Sequence, residues 1–453
     1  MTSQLADGPE CPGGAGASRG APAPAASAPA DAAPPTPASG PAHAPGVSAR
    51  RADDPASPNP GDPVGFEGRS PAPGQLVPAT GAWREGDPVG HRQFAHLGEL
   101  ALERGGRIGV TCAYETWGKL NATRDNAVLV VHALTGDSHI RGPAGPGHPT
   151  AGWWTSLIGP GAPVDTTRYF VVAPNVLGGC QGTTGPASFS GLLDDADRRL
   201  PYGPRFPYIT VRDQVRVEAA LARALGIERF ALVIGGSMGG MRVLEWALME
   251  PELVERIAPI ATTAKSSADQ IAWAHAQISA IRNDPYFLGG DYYFQPDGFG
   301  PHAGLGIARQ IAHTTYRSAA ELEGRFGARA QVGEEPLGGG GRYAVASYLE
   351  HHAAKLALRF DANSYITLTE ALCSHDVGRG RGGVAAALGQ IKARTLVVGV
   401  DSDRLYLPYE TEELASLIPG AGPARIVHSD YGHDGFLIEF SQLGPLVAQF
   451  LAH

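Results

Sequence analysis

Phe230-Ala231-Leu232-Val233-Ile234 runs directly into Gly235-Gly236-Ser237-Met238-Gly239-Gly240, and Met241-Arg242-Val243-Leu244-Glu245-Trp246-Ala247-Leu248-Met249-Glu250 follows. An apolar run, a G-x-S-x-G turn and a helix-spaced segment together have the sequence form of a nucleophile elbow. The glycines at 235 and 239 are expected where any side chain would strike a neighbouring strand or helix. Apolar residues at 243, 244, 247 and 248 keep helical spacing, and Pro251 ends the run. The free N–H groups at the start of such a helix favour negative charge beside Ser237. No Gly-Lys-Ser/Thr follows and G-x-G-x-x-G is not matched, so neither a phosphate loop nor a dinucleotide fingerprint fits.

Working outward, apolar runs predict strands at Ile108–Glu115, Ala127–His132, Tyr169–Ala173, Phe230–Ile234, Ile257–Ala261, Thr395–Val400 and Ala424–His428. Thr210-Val211-Arg212-Asp213 has the form of a capping box and predicts a helix ending near Gly226. Strands alternating with helices imply a mostly parallel α/β sheet, built from residues 81–264 and 391–453. Between them, residues 265–390 lose the strand rhythm. Val345, Tyr348, Leu349, His352 and Leu356 keep helical spacing, and Gly338–Gly341 marks a flexible joint. A helical insertion there predicts a lid over the carboxyl ends of the strands, where open α/β sheets place their sites. Residues 1–80 hold 17 of the 38 prolines and a single aromatic residue, Phe66, which predicts a disordered tail.

A net charge of −9 argues against a general nucleic-acid or anionic-membrane surface. The four cysteines, Cys11, Cys112, Cys180 and Cys373, form no C-x-x-C pair. They suggest neither a disulfide framework nor a zinc site, and fit a reducing, cytoplasmic setting. No run of 18 apolar residues and no basic start followed by an apolar stretch is present, so neither a membrane span nor a secretory signal is expected. No metal-ligand set stands out, and no metal or resident cofactor is expected.

A serine hydroxyl needs a base, and the partners in such sheets follow later in the chain, carboxylate first and histidine second. Two late loops qualify: Asp401-Ser402-Asp403-Arg404-Leu405-Tyr406 and Ser429-Asp430-Tyr431-Gly432-His433-Asp434-Gly435. His433, flanked by glycines after the final strand, is the candidate base. Asp403 is favoured over Asp401 because it sits further into its loop, where Asp401 suits turn-capping. The oxyanion hole is assigned to the amides of Met238 and Leu134, the latter in the loop Val130-Val131-His132-Ala133-Leu134-Thr135-Gly136. His132 is read as a structural loop histidine. The loop Gly178-Gly179-Cys180-Gln181-Gly182-Thr183-Thr184-Gly185-Pro186 is expected to line the pocket, with Cys180 a packed thiol rather than a nucleophile.

Ala113-Tyr114-Glu115-Thr116-Trp117-Gly118, His132–Gly136, Gly182–Pro186 and Gly235–Gly240 together resemble the homoserine O-acetyltransferases, acyltransferases of methionine biosynthesis with an α/β-hydrolase fold. Ala308-Arg309, Thr315-Tyr316-Arg317-Ser318, Arg359–Tyr365 and His375–Arg381 extend the resemblance over roughly residues 90–450. It implies acetyl-CoA as donor, L-homoserine as acceptor and a homodimer with lids at the interface. It also implies Ser237 as nucleophile, Asp403 and His433 as its partners, and Arg309 and Asp434 as substrate binders. An α-carboxylate suits a guanidinium, and an α-ammonium suits a carboxylate. Arg242 stands where members usually carry Gln, with consequences expected for the tunnel or acyl preference, and Ala346 where an acidic residue is common. Succinyl-CoA as donor, serine as acceptor, or plain ester hydrolysis are the alternatives.

Overall fold

The computed structural model describes residues 76–453. The expected tail lies outside the described residues up to position 75. Its last positions, Ala79 and Thr80, are already buried. Thr80 Oγ1 donates to Asp361 at 2.8 Å, and Gly81 N donates to the Phe360 carbonyl. The packed chain therefore begins before residue 81.

Nine strands form the central sheet. They are β1 (Gln93–Ala101), β2 (Arg107–Trp117), β3 (Ala127–Val131), β4 (Phe170–Pro174), β5 (Phe230–Gly236), β6 (Arg256–Ile260), β7 (Arg394–Thr395), β8 (Val398–Val400) and β9 (Arg425–Val427). The order is β1-β2-β4-β3-β5-β6-β8-β9, with β7 paired to β6. β1, β2 and β4 pair antiparallel, and every pair from β4 across to β9 is parallel. β1 escaped the sequence reading because its side chains are half-exposed and a bulge at His96/Gly98 interrupts its alternation. The expected strand Thr395–Val400 is split, since Arg394–Thr395 pairs with β6 and only Val398–Val400 continues to β9. Where a crossover helix was expected between β3 and β4, the chain forms turns packed through Trp153 and Trp154.

Both faces of the sheet are covered at its centre, so strands such as β3 and β5 must be apolar on both sides. Along β3, Leu129 and Val131 point to one cluster, with Val215 and Trp246 from the helices α1 (Val211–Ala224) and α2 (Met238–Met249). Val128 and Val130 point to the other, with Trp154, Leu443 and Val447. Thr210 caps α1 with its hydroxyl on Asp213 N, while the Asp213 carboxylate returns to Thr210 N.

Between β6 and β7 stand the helices α3 (Ala268–Arg282), α4 (His302–Tyr316), α5 (Ala319–Arg325), α6 (Ala344–Ala357), α7 (Ala362–Cys373) and α8 (Val384–Leu388). α4 packs between α3 and α6 and also meets the turn Gly432–Asp434. Gly338–Gly341 falls in the turns before α6. Asp361, fully buried, ties this helical segment together as the N-cap of α7. Its oxygens accept from Thr80 Oγ1, Tyr292 Oη (2.7 Å), Tyr293 Oη (3.1 Å) and Ser364 N (2.8 Å). Four donors on two oxygens satisfy the acceptor sites of the side chain. Asp361→Ala removes the cap and orphans three buried hydroxyls, and is expected to cost about 3 kcal/mol or more. The urea unfolding midpoint checks this, and an unchanged midpoint would refute the network's structural role.

Candidate active site

Ser237 sits at φ +58° and ψ −128°, outside the helix that starts at the next residue. A non-glycine residue there is strained and persists only where its surroundings over-determine it. Here Ser237 N donates to the Ile260 carbonyl at 2.9 Å, and Thr262 Oγ1 donates to the Ser237 carbonyl at 2.8 Å. The flanking glycines supply the remaining space. A Cβ at Gly235 or Gly239 would lie 2.5 or 2.3 Å from the Val131 carbonyl oxygen. The turn is therefore clamped between the ends of β3 and β6.

His433 lies in the turn after β9, and its Nδ1 is 2.7 Å from Asp403 Oδ2. Asp403 Oδ1 accepts the backbone N–H groups of Leu405 and Tyr406 at 2.8 and 2.9 Å. With both Asp403 oxygens accepting, Nδ1 carries the proton and Nε2 keeps the lone pair. Asp401 turns elsewhere, to exposed His428 (2.9 Å) and the amide of Ser429. Burial disfavours the charged form of His433, but the charge and hydrogen bond of Asp403 outweigh it and raise the pKa above the usual imidazole value. The rings of Tyr406, Phe436 and Tyr316 surround His433 at 5.2, 5.4 and 5.8 Å.

Ser237, His433, Leu134, Arg309 and Asp434 line one narrow cavity of about 50 Å³, with Thr135, His313, Tyr316 and His352. Asp403 lies behind His433, and Met238 is buried as the first residue of α2. As that first residue, Met238 has no carbonyl a turn earlier to receive its N–H. Among the described residues the Leu134 N–H donates to no protein acceptor either. Two arginines hold the carbonyls around Leu134: Arg242 donates to His132 O, and Arg359 Nη1 to Thr135 O at 2.9 Å. Arg242 thus does not line the cavity as its position suggested. It is fully buried beneath the loop, paired with Glu218, whose other oxygen accepts from Trp246 Nε1. Arg309 Nη1 reaches Thr135 Oγ1 at 3.4 Å, and Asp434 forms an ion pair with buried Arg317 at 3.3 Å.

His132 accepts Val176 N–H at Nε2 and so donates from Nδ1 to Ala133 O. Burial and the charge of Arg242 push it down to about 3, which keeps it neutral and structural. Cys180 is a buried thiol pushed up to about 12 by burial. The loop Gly178–Pro186 does not line the Ser237 cavity. Thr183 and Thr184 bind it to β2 through Ala113 and Thr111, so it borders a separate cavity of about 670 Å³ beside Phe94 and Tyr202.

Glu115, His139 and His148 bring potential ligand atoms within 4.8 Å of one another. Their lone pairs are engaged, however. His139 Nδ1 is 3.0 Å from Glu115 and its Nε2 3.2 Å from Pro143 O, so both nitrogens donate, while His148 Nε2 accepts His91 N–H. The two rings stack at 3.9 Å and 12°, so in-plane lone pairs do not converge. The trio is a buried hydrogen-bonded cluster in which Glu115 raises the pKa of His139 against the effect of burial, and burial pushes His148 down to about 4.

The sequence alone assigns no site role to Tyr316, Tyr406, His313 or His352. Tyr316 and His313 carried a signal, since Arg309, His313 and Tyr316 share one face of α4 at i, i+4 and i+7.

Comparison with known proteins adds a family. Residues 126–440 match the model for the alpha/beta hydrolase fold. The chain is similar to the homoserine O-acetyltransferase of Thermobifida fusca (strain YX), at 60% identity over 83% of this chain and 98% of the relative. It is also similar in structure to a homoserine O-acetyltransferase from Bacillus anthracis, with a TM-score of 0.72, 27% identity, and 80% and 97% of the two chains covered. Esterase E22 is similar too, with a TM-score of 0.71, 27% identity, and 80% and 99% covered.

Because the pKa of His433, the candidate base, is raised above the usual imidazole value, its basic form is lost as pH falls through that raised pKa. The acid limb of kcat/KM is therefore expected at that raised position. Asp403→Asn removes the charge that raises it most and leaves burial and the lesser pull of Asp434, so the limb should move to lower pH while the rate drops about 10³- to 10⁴-fold. A limb that stays in place would contradict this assignment.

Proposed function

Since the chain belongs to the homoserine O-acetyltransferase family of α/β-hydrolase-fold proteins, we propose that it transfers an acetyl group from acetyl-CoA to the side-chain hydroxyl of L-homoserine, a step of methionine biosynthesis. The observation that carries this reading is the 60% identity spanning nearly the whole of a homoserine O-acetyltransferase, coupled to a serine, a histidine, a guanidinium and a carboxylate on one buried cavity.

The proton of Ser237 Oγ passes to His433 Nε2 as the oxygen attacks the thioester carbonyl. The oxyanion sits on the amides of Leu134 and Met238, at the positive end of α2. The C–S bond breaks, His433 returns its proton to the sulfur, and free CoA leaves an acetyl ester on Ser237. L-homoserine then binds with its α-carboxylate on Arg309 and its α-ammonium on Asp434. His433 takes the proton of the side-chain hydroxyl, that oxygen attacks the ester, and Ser237 recovers the proton as O-acetylhomoserine departs. Asp403 holds the imidazole and stabilises its cationic form. No step calls for a metal or resident cofactor. A narrow cavity limits water, which competes with homoserine for the acetyl ester.

A homodimer joined through the lid belongs to the same reading. Ile271 on α3 and Ile307 on α4 leave apolar side chains exposed there. So does a cytoplasmic setting, supported by the free Cys112, Cys180 and Cys373. Among the described residues no single helix is long and apolar enough to cross a membrane.

Ester hydrolysis is the second reading, favoured by the similarity to esterase E22. Thiol release with acetyl-CoA or succinyl-CoA, against homoserine, serine or no acceptor, separates the readings. Rapid release is expected only with acetyl-CoA and homoserine, and Ser237→Ala should reduce it by roughly 10⁴-fold or more. Equal release without an amino-acid acceptor would replace transfer by hydrolysis.

A further inference from the structure

His313 is 2% exposed, and neither of its ring nitrogens has a hydrogen-bond partner. Buried polar atoms are rarely left so. The ring follows Arg309 by one helical turn on α4, and both line the Ser237 cavity. His352 lies against it at 4.1 Å with its ring tilted by 37°, and Tyr316 and Tyr348 stand edge-on at 5.8 and 5.9 Å. These rings fix its orientation. Burial and the charges of Arg309, Arg317 and Lys355 hold it neutral, well below the usual imidazole range. A neutral imidazole keeps one N–H donor, and a corner dominated by cations suits an anion. Asp434, the carboxylate lining the cavity, is directed toward Arg317.

We propose that His313 is the second half of a carboxylate clamp: its ring N–H donates to the α-carboxylate of the amino-acid acceptor alongside the Arg309 guanidinium. The inference rests on the acyl-transfer reading above and makes His313 a specificity-determining residue for acceptors bearing a carboxylate.

The test uses the full chain with His313→Leu and His313→Asn, and compares L-homoserine with 2-amino-1,4-butanediol, which lacks the carboxylate. His313→Leu should raise KM for homoserine roughly ten- to hundredfold, the range of a hydrogen bond to a charged group, with a much smaller effect on the butanediol. His313→Asn keeps N–H donors and should recover most of the loss. Nitrogen-15 spectra of the wild-type histidines give an independent measure: one buried neutral imidazole N–H should move downfield on adding homoserine, and not on adding the butanediol. An equal loss on both acceptors, an unchanged KM, or a histidine spectrum indifferent to homoserine would overturn the clamp. Wild-type protein inert toward homoserine would overturn the assigned activity and the clamp with it, whereas active wild type with an unaltered Leu variant overturns the clamp alone.

Discussion

The left-handed backbone at Ser237 is the constraint on which the rest of the site depends. It orders the joint between β5 and α2, and nothing local favours it. Its stability comes from the sheet: the Ile260 carbonyl and Thr262 hydroxyl grip the peptide on one side, and Gly235 and Gly239 lie against the Val131 carbonyl on the other. That contact also fixes where the loop after β3 begins. Leu134 is then brought toward the serine by guanidinium groups on its neighbours' carbonyls. Strain at one residue thus aligns the serine, the helix N-terminus and the opposing loop together.

Buried charge does the positioning around this joint. Arg242 with Glu218, Arg317 with Asp434, and His433 with Asp403 are each shielded from water. Breaking such a pair leaves an uncompensated charge and costs more than the pair itself contributes. Rigidity follows, which suits a reaction whose oxyanion must meet donors already in place. The α4 face carrying Arg309, His313 and Tyr316 closes the cavity from the lid side.

The parallel strands were legible because burial on both faces leaves unbroken apolar runs, as in Ala127–Val131 and Phe230–Ile234. The elbow was legible because steric demand leaves few residues but glycine at 235 and 239. β1 was not, since one half-exposed face and a bulge blur its period. The loop Gly178–Pro186 was misplaced because its threonines pair with β2, a long-range bond with no local signature. Arg242 looked like a tunnel residue, yet its partner Glu218 lies a helix away in sequence. The unpaired state of His313 depends on what surrounds it in space, and spacing along α4 reveals only the face it shares with Arg309.

The central claim is that acetyl rests on Ser237 between two separate transfers. Exchange of isotopically labelled CoA into acetyl-CoA, with no amino acid present, tests it most directly. Label should enter the acetyl-CoA pool at a rate comparable to turnover. Exchange that requires homoserine would contradict a covalent intermediate and point to direct transfer between two bound substrates.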